Sequence, residues 1–321
     1  MPRPTSATTI QRPDLASIAY EYMMEASERG FIGLDIMPIF EVSEKSAEYP
    51  VIPIEALLKL QTTKRAPDGS YPRSGYEFET DNYSCSEDGW EEKVDDVEAK
   101  MYARFFDAEE LAVKRAVDIL LRGQEKVIAD AVFNTSNFSS TAVTTEWSTA
   151  ATCTPRADIN TGKVAMRAAS GLRPNVLAMA EKVFNNVLMA SEITDALKYT
   201  NPIELGGLEA QKRILAQYFG VDRILVGGAI YDAAKKNKSM SLTDIWDDEY
   251  VGLFRVSEGG LALKEPVVGR TFLWTDDSPE NLVTESYREE QTRANIYRVR
   301  HNTDPEFIFT GAGYLLSNIT A

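Results

Sequence analysis

Residues 49–133 carry three kinds of pattern in succession, and they constrain the chain more than any other stretch. Tyr49 to about Asp96 is rich in Pro, Gly, Tyr and charge and has no helical period. Val97 to Phe106 then alternates: Val97, Ala99, Met101, Ala103 and Phe105 fall between Glu98, Lys100, Tyr102, Arg104 and Phe106, which reads as a strand. Asp107-Ala-Glu-Glu110 has the form of a helix N-cap with an acid three residues on. It opens a long amphipathic helix, Ala108 to Phe133, in which Val113, Val117, Leu120, Leu121, Val127, Ile128, Ala131 and Val132 recur at helical spacing. At a ~1.5 Å rise such a helix is about 40 Å long.

The turn region Ala66 to Gly75 (APDGSYPRSG) is flanked by strand-like runs. Val51 to Thr62 lies on one side, and Tyr76 to Thr80 with Trp90 to Phe106 on the other. The simplest reading is a glycine-tipped hairpin with arms of up to about 60 Å. A bare two-stranded ribbon is marginal in water, so one this long persists only by lying across another surface. An extended ribbon feeding one long helix is the pattern of a building block, not of an enzyme.

The remaining chain reads more conventionally. Residues 1–48 hold a short helix, Leu15 to Glu28, in which Leu15, Ile18, Tyr22 and Met23 share a face. Gly30 and Gly33 break it, and Pro38, Pro50 and Pro53 keep the next stretch extended. This segment has too little apolar surface to fold alone. Asn134 to Thr154, rich in Ser, Thr and Asn, reads as a loop. From Asp158 the rhythm becomes α/β: Asp158 caps a helix reaching Ser170, Gly171 ends it, and Val176 to Ala180 is a strand. Glu181 to Tyr199 reads as a helix, Gly206-Gly207 as a break, Glu209 to Phe219 as a helix, and Arg223 to Tyr231 as a buried strand. Leu253 to Ala321 returns to β-structure at Gly269 to Trp274, Val283 to Val299, Glu306 to Thr310 and Tyr314 to Ile319.

Composition narrows the chemistry. A net charge of −15 over 321 residues opposes a sequence-reading nucleic-acid binder and a peripheral binder of anionic membranes. The longest apolar run, Ile224 to Tyr231, is too short to span a bilayer. The N-terminus lacks a signal-peptide core, so a cytoplasmic product is expected. Cys85 and Cys153 stand in no ligand-like spacing and read as reduced structural cysteines. His301 is the only histidine, which removes most general-base schemes and leaves a solvated or hydrogen-bonded side chain. Gly311-Ala-Gly313 reads as a turn, and Gly227-Gly228 lacks an attached Gly-Lys-Ser/Thr. No catalytic, cofactor-binding or metal residue is assigned.

The acids Glu77, Glu79, Asp81, Glu87, Asp88, Glu91, Glu92, Asp95, Asp96 and Glu98 read as a solvated or partner-facing ribbon, since the calcium-loop spacing is absent. Lys64, Arg65 and Arg73 cluster at the tip, with Asp68 and Tyr71 between them. A basic tip and an acidic base on one ribbon suit docking onto a neighbouring copy.

Three strings complete the picture: Asp158-Ile159 with Gly171-Leu-Arg-Pro-Asn175; Ala216-Gln-Tyr-Phe-Gly220 leading into Val221 to Val226 and Ala229-Ile-Tyr231; and the ending Thr310 to Thr320 (TGAGYLLSNIT). In their order and spacing, these elements resemble the major capsid proteins of tailed phages, with the Hong Kong 97-type fold. The resemblance covers nearly the whole chain. It implies an α+β protein with an N-terminal arm (1–48), an extended loop or E-loop (49–96), a peripheral domain with a long spine helix (97–157), an axial α/β domain (158–282) and return strands of the peripheral domain (283–321).

It further implies self-assembly through hexamers and pentamers into an icosahedral shell around double-stranded DNA, located in the virion after assembly in the host cytoplasm. The implied partners are other copies, contacted through Lys64, Arg65, Asp68, Tyr71 and Arg73 at the E-loop tip, and a portal. Packaged DNA is held only non-specifically, and there is room for a decoration protein. No membrane, cofactor or metal is implied. The type member carries a long helical scaffolding region before its spine helix, whereas here that helix begins near Asp107, so a separate scaffolding protein is expected. Lys59 and Lys64 lie in the loop, but the sequence offers no partner Asn or catalytic Glu for cross-linking. An encapsulin-type compartment shares this fold and is the alternative; a carboxylate-dependent hydrolase on the α/β block is the alternative of another class.

Overall fold

The computed structural model describes residues 10–24, 29–51, 58–61, 63–65, 67, 69–73, 75, 79–198, 207–235, 238–257, 266–279 and 281–320. The long helix forms where its periodicity places it, at Ala108–Val132. Asp107 caps it by accepting from the Glu109 N–H at 2.9 Å, and Glu109 and Glu110 sit at the positive end of the helix dipole. Ion pairs Glu110–Lys114 (2.6 Å), Asp118–Arg122 (2.7 Å) and Lys126–Asp130 run along its outer side. Each contributes only a few tenths of a kcal/mol. Burial of the inner face does more, roughly 1.5–3 kcal/mol for each Val or Leu side chain.

That inner face serves two cores. Its first half, Ala112 to Leu121, packs with Leu15, Ala19, Leu282, Tyr297 and Val299. Its last turns, Ile128, Ala129 and Val132, join the core of the α/β block beside Phe184, Trp246 and Leu253. Gln124 and Glu125, both buried, lie between the two sets. Val127, expected on the inner face, is 56% exposed.

A six-stranded sheet covers the first core. Its centre is the 14-residue strand Ala294–Phe307, which pairs antiparallel with Val283–Glu289, Gly269–Trp274 and Ser86–Asp95. Ile10–Gln11 and Ile39–Val42 form its edges. The expected unbroken run Val283 to Val299 is therefore a hairpin, turning just before Ala294 with Arg293 at φ 50°. The N-terminal helix Pro13–Met24 lies on the long helix through Leu15 and Ala19; the expected continuation to Glu28 lies outside the described residues.

Val97 to Phe106 is not a strand. The strand ends at Asp95, whose carboxylate accepts from the Val97 N–H at 2.8 Å and caps a helix over Asp96–Tyr102. The apparent alternation has no sheet face to bury, because Val97, Met101, Phe105 and Phe106 are all exposed. Asp95 followed three residues on by Glu98 is a helix-start signal, and it prevails over the two-residue period.

The ribbon is a hairpin at its base only among the described residues: Ser46–Val51 pairs antiparallel with Glu79–Ser84. Ser86–Asp95, read as part of its second arm, belongs to the six-stranded sheet instead. Aromatic contacts anchor the base, with Tyr83 stacked on Phe272 at 4.5 Å and Tyr49 at 5.2 Å from the same ring. Residues 52–57, 62 and 76–78 of the predicted arms lie outside the described residues.

The α/β block has a five-stranded sheet in the order Ser140–Ala142, Gly313–Ser317, Val251–Phe254, Val176–Ala180, Arg223–Gly227. The last two are parallel and are linked by a crossover that includes helices Glu181–Met189, Ser191–Leu197 and Leu208–Phe219. The predicted single helix Glu181 to Tyr199 breaks at Ala190, which is extended at ψ 130°. The helix expected from Asp158 begins at Pro155, with Thr154 as N-cap. Asp158 instead accepts from Trp147 Nε1 at 2.9 Å. Gly171 ends that helix at φ 73°, as its sequence position predicts. The strand expected to reach Tyr231 stops at Gly227, where a Cβ would stand 2.3 Å from the Trp246 indole.

Sheet membership does not follow a single cut at residue 283. Gly269–Trp274 belongs to the six-stranded sheet, and Gly313–Ser317 to the five-stranded sheet of the α/β block.

Candidate functional site

The groups best suited to covalent or acid–base chemistry are placed where they are inert. Cys85 and Cys153 are free and buried, and burial raises both thiols, Cys85 to about 11, so neither supplies a thiolate at neutral pH. His301 is not solvated as expected. It is 2% exposed, opposite Asp88 across the strand pair, and its Nδ1 has no hydrogen-bond partner. Burial lowers its pKa against the opposing pull of Asp88, so the ring is neutral. Among the described residues, no three His, Cys, Asp or Glu side chains are grouped to hold a metal. No described helix is long and apolar enough to cross a membrane. Gly311-Ala-Gly313 is a 3-10 turn running into the last strand.

Three acids of the 77–98 stretch, Asp96, Glu91 and Glu92, are paired with arginines within the chain. Asp96 makes a two-pronged contact with Arg288, at 2.6 and 2.7 Å, and the hydrogen bond to that guanidinium holds its carboxyl below the usual range. Glu91 pairs with Arg298 at 2.7 Å, and Glu92 with Arg115 at 3.4 Å. The arginines facing Asp96 and Glu91 lie 192 and 207 residues away along the chain, so a sequence reading of solvated acids missed them.

Glu125 is the most consequential buried charge. It is 4% exposed in the middle of the long helix. Its Oε1 accepts from the Ile32 N–H at 2.7 Å and Trp246 Nε1 at 2.7 Å, and Oε2 from the Gly33 N–H at 2.9 Å. One carboxylate thereby joins the N-terminal segment, the long helix and the α/β block. Burial raises its pKa to about 6, while the three donors pull the other way and Asp35 adds to the rise. The close approach of Gly30 and Gly228 makes a second tie. Gly228 N–H donates to the Gly30 carbonyl at 3.1 Å. A Cβ on Gly30, itself at φ 80°, would lie 2.4 Å from that nitrogen.

Around this fixed frame the exposed features are of a different kind. Lys64, Arg65, Tyr71 and Arg73 are exposed, with the Arg65 guanidinium 5.3 Å over the Tyr71 ring; Asp68 lies outside the described residues. Beyond the strand Ser86–Asp95, the helix Asp96–Tyr102 and the following turn expose Val97, Met101, Tyr102, Phe105 and Phe106. Phe105 is 80% exposed. Exposed apolar side chains so close together in sequence make this a candidate interaction surface.

Comparison with known proteins gives the class. A phage-related protein from Bordetella bronchiseptica RB50 has the same fold, with a TM-score of 0.72 at 21% identity, covering 97% of this chain and 98% of that one. The capsid protein of Myoviridae phage XM1 matches at a TM-score of 0.55 and 10% identity, covering 90% and 92%. The chain has the capsid fold of the Hong Kong 97 type. No family model matches it. In sequence it is a homologue of the major capsid protein of Burkholderia phage BcepMu, 26% identical over 318 residues, 98% of each chain.

Proposed function

We propose that this chain is a major capsid protein that assembles with copies of itself into the icosahedral shell enclosing the double-stranded DNA genome of a tailed phage. The observation that carries this reading is the likeness to a major capsid protein over 98% of both chains. It takes in the N-terminal segment, ribbon, long helix and α/β block together. The mechanism is mechanical. Arm (1–48) and loop (49–96) bury surface between subunits, so that stability resides in the lattice more than in the single chain. The tip residues Lys64, Arg65, Asp68, Tyr71 and Arg73 contact an adjacent subunit. Hexamers and pentamers, a portal and a separate scaffolding protein complete the assembly, and the product resides in the virion. The acidic balance suits a container, since a wall of net charge −15 per copy confines DNA without tight phosphate pairing.

Electron microscopy and sedimentation of the purified product test the reading directly. Closed shells are expected, with nuclease-protected DNA inside when they are recovered from phage. Shells that enclose only protein would identify an encapsulin-type compartment instead, and a product that never rises above a small oligomer would overturn the shell altogether.

A further inference from the structure

The chain carries 49 acids against 34 lysines and arginines, yet residues 233–241 (AAKKNKSMS) hold three lysines and no acid. This stretch is the tip of a small hairpin in which Ile230–Asp232 pairs antiparallel with Leu242–Asp244. Of the six paired residues only Tyr231 is even partly buried. A two-stranded ribbon alone is marginal in water, and ties at its root and tip hold this one. Arg122 of the long helix donates to the Ile230 carbonyl at 2.6 Å, and the Lys126 ammonium stands 5.9 Å from the Tyr231 ring. Asp232 accepts from the Ala234 and Ser241 N–H groups at 2.9 and 2.8 Å, and the Lys238 N–H donates to the Lys235 carbonyl at 3.0 Å.

Lys235 and Lys238, the two tip lysines that the structure describes, are exposed. Among the described residues no carboxylate pairs with either, whereas Lys114, Lys126, Lys182 and Lys212 each pair with an acid. The acid nearest Lys235 in sequence, Asp232, is committed to the loop backbone, and those N–H groups hold its carboxyl below the usual range.

The choice of cation separates this tip from the six-stranded sheet. There, arginines hold fixed, directional pairs, as Arg288 does with Asp96 and Arg300 with Glu285. A lysine ammonium is a point charge on a flexible stem, which suits phosphates met in any register. A neighbour's acids compete poorly for it, since Asp96, Glu91 and Glu92 are already paired with arginines.

We propose that this hairpin is a contact between the shell wall and the packaged DNA, with Lys235 and Lys238 set against backbone phosphates. The inference rests on the shell reading and names the residues through which an otherwise acidic wall touches its contents. Two phosphate contacts give a salt slope of only about −1.8 per subunit, so a single subunit holds DNA weakly. Repetition over the copies of a shell makes the sum substantial.

The test uses DNA-filled particles recovered from phage and the same particles after their DNA is released. Lysines are acetylated with a small N-hydroxysuccinimide ester and read by peptide mass spectrometry. Lys235 and Lys238 are expected to react severalfold more slowly in filled particles than in emptied ones, relative to the other lysines. Equal rates in both overturn the contact. Lys235→Glu combined with Lys238→Glu should leave the subunit melting temperature and the particle yield at wild-type levels. It should also lower, by several degrees, the temperature at which filled particles lose their DNA. Lys235→Arg combined with Lys238→Arg should retain DNA as wild type does. Wild-type retention by the glutamate variant overturns the proposal. Exposed Met240 and Leu242 would serve a protein partner, and a glutamate variant that forms few particles would assign the hairpin to such a contact and overturn the one with DNA. A wild-type chain that forms no shells, or shells holding only protein, fails the shell reading and the proposal with it, a result distinct from all of these.

Discussion

Eleven of the 25 residues of the long helix are buried, whereas at the described base of the ribbon Ser46–Val51 buries only Tyr49 and Glu79–Ser84 only Tyr83. The two regions lie close together in sequence. They differ in where their partners lie. The helix finds its partners inside the chain, in two cores and at Glu125. The ribbon is held at its base by Tyr49, Tyr83 and Phe272, and Lys64, Arg65, Tyr71 and Arg73 at its tip are exposed. A region stabilised within the chain should respond to substitution in the isolated subunit, and one stabilised between chains should respond only in the assembly.

The largest effect that can break this contrast is on the ribbon. Deleting Ala66 to Arg73 should leave a soluble subunit with a melting curve like that of wild type, yet abolish or greatly reduce particles seen by electron microscopy. Normal shells of unchanged thermal stability from the deletion would place the tip outside the assembly. On the helix side, Leu120→Ala removes a side chain buried between helix and sheet and should cost ~2–5 kcal/mol in denaturant unfolding of the subunit itself.

How much of this contrast is legible in the sequence depends on the range of the interactions. The long helix and the strand Val176–Ala180 are local matters, since period and capping residues lie within a few positions of one another. The Val97 to Phe106 stretch shows the limit of period-reading. Alternation over ten residues suggests a strand, but without a sheet neighbour the Asp95 cap decides for helix. The joint at Glu125 left one trace, a carboxylate in line with Leu121 and Ile128 on an otherwise apolar stripe. Its partners are 93 and 121 residues away, so nothing in the sequence could identify them.

Glu125 offers a smaller effect that sharpens the comparison, because its three donors make the helix the hub of the subunit. Its carboxyl is raised to about 6 in the folded chain from a reference value of 4.5. The folded state therefore binds this proton more tightly than the unfolded state. The associated stability is complete below about pH 4.5 and is lost as pH rises through about 6, a change of about 2 kcal/mol. Other carboxyls titrate in the same range, so the quantity to follow is the difference between wild type and Glu125→Gln. Wild type should lose stability relative to the variant between pH 4.5 and 7, measured by urea unfolding of subunits. A difference independent of pH would mean that the carboxylate is better solvated than its burial implies.

The smallest effect is on the outer side of the same helix, and it tests whether the faces are assigned correctly. Lys114 pairs with Glu110 at 2.6 Å, both side chains being about two-fifths exposed. In that setting, the attraction is screened by water and opposed by the entropy of holding two long side chains together. Lys114→Ala also replaces one good helix former by a slightly better one, so the net change in subunit stability should stay within about 0.5 kcal/mol. The informative measurement is the ratio to Leu120→Ala in the same unfolding series. A loss at Lys114 comparable to that at Leu120 would show that the outer face is as deeply engaged as the inner one. If Lys114→Ala instead leaves the subunit unchanged but lowers particle yield, then part of the helix's outer face belongs with the ribbon, among the surfaces satisfied only by a neighbour.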